Sequence, residues 1–260
     1  MIKYIDFGDI FVKICNMRIA ISGAQNTGKS TLVKNFLSRW SMYSTPTKTY
    51  RDVINELNLP HSSNTNDITQ LAILNWMTEE LEKNPKGSKV IYDRCPLDNL
   101  VYTLVANEKN QITDETAALT IEITKKAMKH LDIIFVLKYD PDIKIVDDGI
   151  RDINKDYLLE IDSMFDGLYQ QYADHLEDTP FFDKEDCPAI IIVEGKTVDE
   201  RLAWVGEFID SMGNLVETES SILAPENLEL MEKMLSEQIE WSEKDNQFKN
   251  LSKEISKLKY

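Results

Sequence analysis

Arg18-Ile19-Ala20-Ile21-Ser22-Gly23-Ala24-Gln25-Asn26-Thr27-Gly28-Lys29-Ser30 decides the fold of this 260-residue chain. Residues 18–22 are a compact, Ile-rich run, as expected of a strand covered on both faces. Gly23 to Ser30 satisfies the pattern G-x-x-x-x-G-K-[ST], and a helix is read from about Ser30 to Trp40, so the motif stands between the strand and helix it requires. Each residue type meets a physical demand. Glycines let the backbone wrap an anion with its N–H groups, a helix start favours negative charge, and Lys29, expected in a solvent-facing loop, neutralises phosphate. The Ser30 hydroxyl suits Mg²⁺, which prefers oxygen ligands. Gly23, Ala24, Gln25, Asn26, Thr27, Gly28, Lys29, Ser30 and Thr31 are therefore expected to hold ATP, with Lys29 also serving catalysis. The rival dinucleotide fingerprint G-x-G-x-x-G does not follow this strand, which argues against hydride chemistry.

Working outward, short Ile- and Val-rich runs recur at residues 89–93, 132–138 and 189–193, with a weaker one at 43–47. Between them lie stretches of helical period at about 67–83, 97–106, 114–130, 156–176 and 198–212. In the first of these, Leu71, Leu74, Met77 and Leu81 fall at three- and four-residue spacing and predict a core-facing stripe. The alternation is that of a doubly wound α/β domain, a parallel sheet with crossover helices, over residues 17–213. Residues 1–16 form an extension before Met17. After Gly213 a polar linker leads into a Glu- and Lys-rich stretch to Tyr260, where Met234, Trp241, Phe248 and Ile255 recur every seven residues. That C-terminal helical extension, residues 214–260, is expected either to pack on its own domain or to pair with a second copy or another protein.

Two further segments carry chemistry. Asp93-Arg94-Cys95-Pro96-Leu97-Asp98 follows the run 89–93 directly, and ligands in open α/β sheets gather beyond the carboxyl ends of strands. Asp93 there is expected to hold Mg²⁺ or take a proton from an acceptor, and Arg94 to meet phosphate; an ion-paired turn into a helix is the structural alternative. Asp147-Asp148-Gly149-Ile150-Arg151-Asp152 precedes a helix, and an arginine beside a glycine hinge is what phosphoryl transfer uses to cover the transferring group. Arg151 is the expected catalytic residue of that loop.

Composition narrows the partners. Lys and Arg total 29 against 45 Asp and Glu, a formal net charge of −16, which disfavours generic nucleic-acid binding. The basic clusters Lys83, Lys86, Lys89 and Lys125, Lys126, Lys129 read as solvated helix surface. Cys15, Cys95 and Cys187 form no C-x-x-C pair and fit a reducing compartment. No secretory leader is read near the start, and no run approaches the roughly 18 apolar residues of a membrane span. The chain is expected in the cytoplasm, or the host cytoplasm if viral.

Together the loop, the Asp93-Arg94 step with Asp98 and Tyr102 following, and Asp148-Gly149-x-Arg151 ahead of Phe165, Leu168 and Tyr172 resemble the nicotinamide-riboside-kinase-like P-loop family. Val193-Glu194-Gly195 with Arg201-Leu202 is similar to that family's last strand and adenine-side loop, and Gly195 joins the expected ATP contacts on that basis. Deoxynucleoside and thymidylate kinases are related. The resemblance spans about residues 17–210 and implies a sheet ordered 2-3-1-4-5 with helices on both faces. It implies ATP- and Mg²⁺-dependent phosphorylation of a nucleoside, nucleotide or similar small acceptor. Arg51, after the second strand, stands where such proteins place an acceptor-side arginine, and Gln70 resembles in placement the amide that reads a base. Asp98 is the third expected acceptor contact. The chain departs from the pattern at Lys48, where a glutamate is usual three residues before Arg51, leaving Asp52 and Asp93 as candidate acids.

Two other readings stay open at this point. Virus-type members of this broad group suggest a kinase for a hydroxymethylated pyrimidine base in DNA, which a basic face at 125–129 beside the loop would favour. An ATPase or switch module that recruits a protein through its C-terminal helix is the other, and an acceptor pocket lined by Arg51, Gln70 and Arg94 would count against it.

Overall fold

A computed structural model describes residues 5–6, 11–12, 17–60, 64–142, 154–174 and 187–215. In the N-terminal extension, β1 (Ile5–Asp6) pairs antiparallel with β2 (Phe11–Val12). The main sheet comprises β3 (Arg18–Gly23), β4 (Val90–Asp93), β5 (Ile133–Leu137) and β6 (Ala189–Val193), all parallel, in the order β4-β3-β5-β6. All residues of β3 and β5 are buried, which explains their unbroken apolar character. The weak strand at 43–47 reduces to one parallel bridge, Ser44 to Val90, with Ser44 N donating to Lys89 O and Ser44 O accepting from Ile91 N. Pro46 follows two residues later and has no N–H to extend the ladder. Counting that bridge as the second strand gives the expected order 2-3-1-4-5.

Helices cover both faces because strand residues alternate. Ile19, Ile21, Ile91 and Phe135 face one core, completed by Leu32, Val33 and Phe36 of α1 (Lys29–Arg39) and Val205 of α7 (Val198–Gly206). Ala20, Tyr92, Ile134 and Val136 face the other. That core takes Leu97, Leu100 and Val101 from α4 (Pro96–Glu108), Met128 from α5 (Asp114–Met128), and Leu158, Ile161 and Phe165 from α6 (Lys155–Asp174).

A third, separate core lies between α2 (Tyr50–Leu57) and α3 (Asp67–Glu82). It consists of Ile54, Ile73 and Met77, with Tyr50 and Trp76 packed against it. In α3 the predicted stripe holds at Leu74, Met77 and Leu81, but Leu71 is only half-buried and Ile73 takes the inward position. Sequence periodicity misses α2, which has eight residues and only Val53 and Ile54 fully buried. Its one local signal is the capping box in which Asp52 accepts from Thr49 N at 2.7 Å.

Helix α7 ends at Gly206, short of the boundary near residue 212 that its sequence suggests. After Gly206 the chain turns back, bridging Ile209 to Leu215, and is tied to the first core by Trp40 Nε1 donating to Asp210 O and Tyr43 OH to Gly213 O. The chain divides into compact units after Leu215, and the seam Met234, Trp241, Phe248 and Ile255 lies outside the described residues. Among those described, no helix is long and apolar enough to cross a membrane.

Candidate active site

The loop between β3 and α1 is built by close approach. Gly23 has φ +133°, and a Cβ there would stand 2.3 Å from Leu137 O on the neighbouring strand, so only glycine fits. Asn26 and Gly28 also take positive φ, 64° and 93°, and Gly28 caps the start of α1. Lys29 differs from expectation: it is buried, because its ammonium folds back onto the loop and donates to Gly23 O at 2.7 Å and Ala24 O at 2.5 Å. Thr27 Oγ1 donates to Ala24 O as well.

Facing this loop, β4 ends at Asp93, whose Oδ2 accepts from Ser30 Oγ at 2.5 Å. Arg94 then adopts φ +82°, uncommon for a bulky residue, while its N–H donates to Ile21 O. That turn lays its guanidinium 4.9 Å from the Tyr50 ring centroid and 5.1 Å from that of Tyr102. Burial opposes the Arg94 charge, but Tyr102, Tyr50 and Asp98 favour it and hold the group firmly cationic. Burial likewise raises the Tyr50 phenol, and Arg94 and Arg51 outweigh it, leaving that group below its ordinary value. The Tyr102 hydroxyl donates to Gln25 Oε1 at 2.7 Å, linking the stack to the loop.

A cavity of about 250 Å³ lies between the two walls, lined by Asn26, Gly28, Lys29, Ser30 and Thr31 on one side and Thr49, Tyr50, Arg51, Asp93 and Arg94 on the other. Ser30 and Asp93, hydrogen-bonded across the cavity, bring hard oxygen donors together, and that donor chemistry fits Mg²⁺. Among the described residues no group of three His, Cys, Asp or Glu side chains comes together.

Several expected site residues have other places. Asp98 does not line the cavity. It is 1% exposed beneath the loop, where its carboxylate accepts from Ser22 Oγ at 2.7 Å, Cys95 N at 3.0 Å and Gly23 N at 3.3 Å, with Arg94 Nη1 at 3.5 Å. Burial raises its pKa against the pull of Arg94 and Lys29. Gln70 is also buried, and its amide is engaged by protein: Nε2 donates to Thr65 Oγ1, and Oε1 accepts from Asn99 Nδ2 at 2.7 Å. Asp52 caps α2 through Thr49, which lowers its pKa, and Lys48 pairs with Glu56. Asp93 is then the candidate acid that faces the cavity. Ala24, Gln25 and Thr27 sit beneath the loop surface, Gly195 (φ +112°) packs against Glu200, and Arg151 lies outside the described residues.

Sequence reasoning missed Tyr50 and the part Tyr102 plays in stacking Arg94. It also missed what Arg201 does: its Nε donates to Gly195 O at 2.9 Å and its Nη1 to Thr27 O at 2.5 Å. No local pattern pairs residues 174 positions apart.

A family model described as AAA domain matches residues 18–180. No curated protein matches the sequence. Among solved structures, deoxyadenosine kinase from M. mycoides with bound dATP is similar at 18% identity and a TM-score of 0.55, over 73% of this chain and 97% of that one. NadR protein in complex with NR is similar at 17% identity and a TM-score of 0.54, over 79% of this chain and 54% of that one. At these identities the likeness establishes the fold, that of P-loop kinases.

Proposed function

The chain belongs to the AAA domain family, and from that membership and the facing walls of its cavity we propose that it is an ATP-dependent kinase acting on a nucleoside or nucleotide. One observation carries this reading: the phosphate-binding loop shares its cavity with Asp93, Arg94 and Arg51. A site that only bound ATP would need the loop and its Mg²⁺ ligands, whereas transfer to an acceptor needs a further group to hold that acceptor, and Arg51 stands on the facing side. The two fold neighbours, a deoxyadenosine kinase with bound dATP and NadR protein in complex with NR, support the acceptor class.

In this reading the loop N–H groups and Lys29 hold the ATP phosphates, Lys29 exchanging loop carbonyls for phosphate oxygens. Ser30 and Asp93 would hold Mg²⁺, which when bound neutralises phosphate charge. Arg94, fixed by its two tyrosines, meets the charge that develops on the transferring group, and Arg51 orients the acceptor. The acceptor hydroxyl attacks the γ-phosphorus and the bond from that phosphorus to the β–γ bridging oxygen breaks, releasing ADP, with receipt of the hydroxyl proton the alternative role of Asp93 to holding Mg²⁺. Arg151 would close over the transferring group.

The base-in-DNA reading loses its condition, since no residue of 125–129 lines the cavity and Lys126 pairs with Glu122. The switch reading is weakened by Arg51 and Arg94, although Gln70 is absent from the lining. Incubation with ATP, Mg²⁺ and pooled nucleosides, nucleotides and modified DNA, followed by mass analysis for added phosphate, tests the proposal. Phosphate gained only by the DNA pool, or ATP hydrolysed with every pool unchanged, would reject it.

A further inference from the structure

Arg201 is 7% exposed and lies at the back of the phosphate loop. Two backbone carbonyls from distant segments converge on its guanidinium, Gly195 O on Nε and Thr27 O on Nη1. A Cβ at Gly28 would come within 3.3 Å of that same Nη1. Among the described residues no carboxylate forms an ion pair with it. A buried guanidinium without a carboxylate partner is costly, and such groups are retained where an anion or a fixed dipole completes them.

The direction of the Thr27 carbonyl has a consequence at the next atom. No peptide bond in the described chain is cis, and in a trans peptide the C=O and the following N–H point in opposite directions. Fastening Thr27 O to Arg201 therefore turns the Gly28 N–H away from Arg201. Gly28 lines the cavity, and its φ of 93° leaves this peptide plane without the restraint a side chain would impose. The other end of the fork is equally constrained. Gly195 stands at φ +112°, where a Cβ would meet Glu200 Cβ at 2.8 Å, and Glu200 caps α7 through Thr197. The carbonyl under Arg201 is thus held by a tight turn and a capped helix.

We propose that Arg201 is a positioning residue for the phosphate donor, orienting the Thr27–Gly28 peptide so that the Gly28 N–H faces the phosphates and adding a positive charge behind them. It acts through the backbone and touches neither acceptor nor reacting atoms. The inference rests on the reading of this loop as a phosphate site and is independent of the acceptor.

Binding of inorganic tripolyphosphate, which has no base, and of ATP is measured by calorimetry in the full chain and in Arg201→Met and Arg201→Lys. Arg201→Met should weaken both ligands by a similar factor, roughly tenfold to a hundredfold, as expected for a lost charge-assisted bond. Arg201→Lys keeps the charge but cannot span both carbonyls, and should fall between. Unchanged tripolyphosphate affinity in both variants, with or without a loss for ATP, overturns the proposal; the second pattern would place Arg201 at the base instead. A wild-type chain that binds neither ligand would reject the phosphate site itself. Should Arg201→Met fail to fold, ¹⁵N-glycine labelling decides, because the chain has only 9 glycines. Tripolyphosphate should move the Gly28 amide resonance in the wild type, and less in Arg201→Lys. An equal shift in the two, or none in the wild type, overturns it.

Discussion

The two walls of the cavity are fastened in different ways. The loop wall is pinned from below by Asp98 on α4, from behind by Arg201 on α7, and from within by Lys29, and it packs against β5 so closely that Gly23 tolerates no side chain. The wall carrying Tyr50 and Arg51 stands on α2, an eight-residue helix over a core of three buried residues. Burial scales the penalty for change, so the first wall is bound to a common chemistry and the second is open to variation. Arg94 spans them, its backbone hydrogen-bonded to β3 and its guanidinium stacked on Tyr50.

The largest effect should come from Lys29→Met, which removes a buried charge from the loop wall. Turnover should drop by at least about 10²- to 10³-fold, measured as phosphate transfer at saturating ATP. A variant that kept full turnover would remove this wall from the chemistry. Asp98→Asn should come next, lowering unfolding free energy by about 1–3 kcal/mol in denaturant titrations, because a buried acceptor of three hydrogen bonds is altered. It should raise the KM for ATP and leave the KM for the acceptor nearly unchanged.

Gln70→Leu sharpens the comparison from the other side. It leaves Thr65 and Asn99 without their partner, so about 1 kcal/mol of stability should be lost, with the acceptor KM staying within about twofold. A tenfold rise in acceptor KM at unchanged stability would return Gln70 to the site and break the comparison.

The smallest effect concerns acid. Asp52 in the first turn of α2 and Glu200 in the first turn of α7 both have lowered pKa values, chiefly through hydrogen bonds from the backbone of Thr49 and Thr197. A carboxylate whose pKa is lowered by folding contributes stability above its unfolded value, about 4, and loses it as pH falls through the folded value. The protection factors of the α2 amides should therefore fall below about pH 4 before those of α1 respond, and Asp52→Asn should flatten that dependence. Simultaneous loss in both helices would mean the walls unfold as one.

What the sequence made legible was local. The loop motif names its residues by spacing, and β3, β5 and β6 announce themselves as apolar runs because both faces of the sheet are covered. The placement of Asp98 and Gln70 was not legible: each follows a familiar pattern, yet Asp98 turns beneath Gly23 and Gln70 toward Asn99 on another helix. Tyr50 escaped because its stacking partner, Arg94, is brought to it only by the unusual φ after β4. Ser44 shows the converse, a strand signal cut short by the proline that follows.

The separate core of Ile54, Ile73 and Met77 also bears on descent. A substitution there alters the packing of α2 on α3 and leaves the two larger cores untouched, so the wall carrying Tyr50 and Arg51 can be reshaped with Arg94 as its main tie to the phosphate loop. On the proposed function, such a chain can trade one acceptor for another through changes in α2 and α3 while inheriting its phosphate loop almost intact.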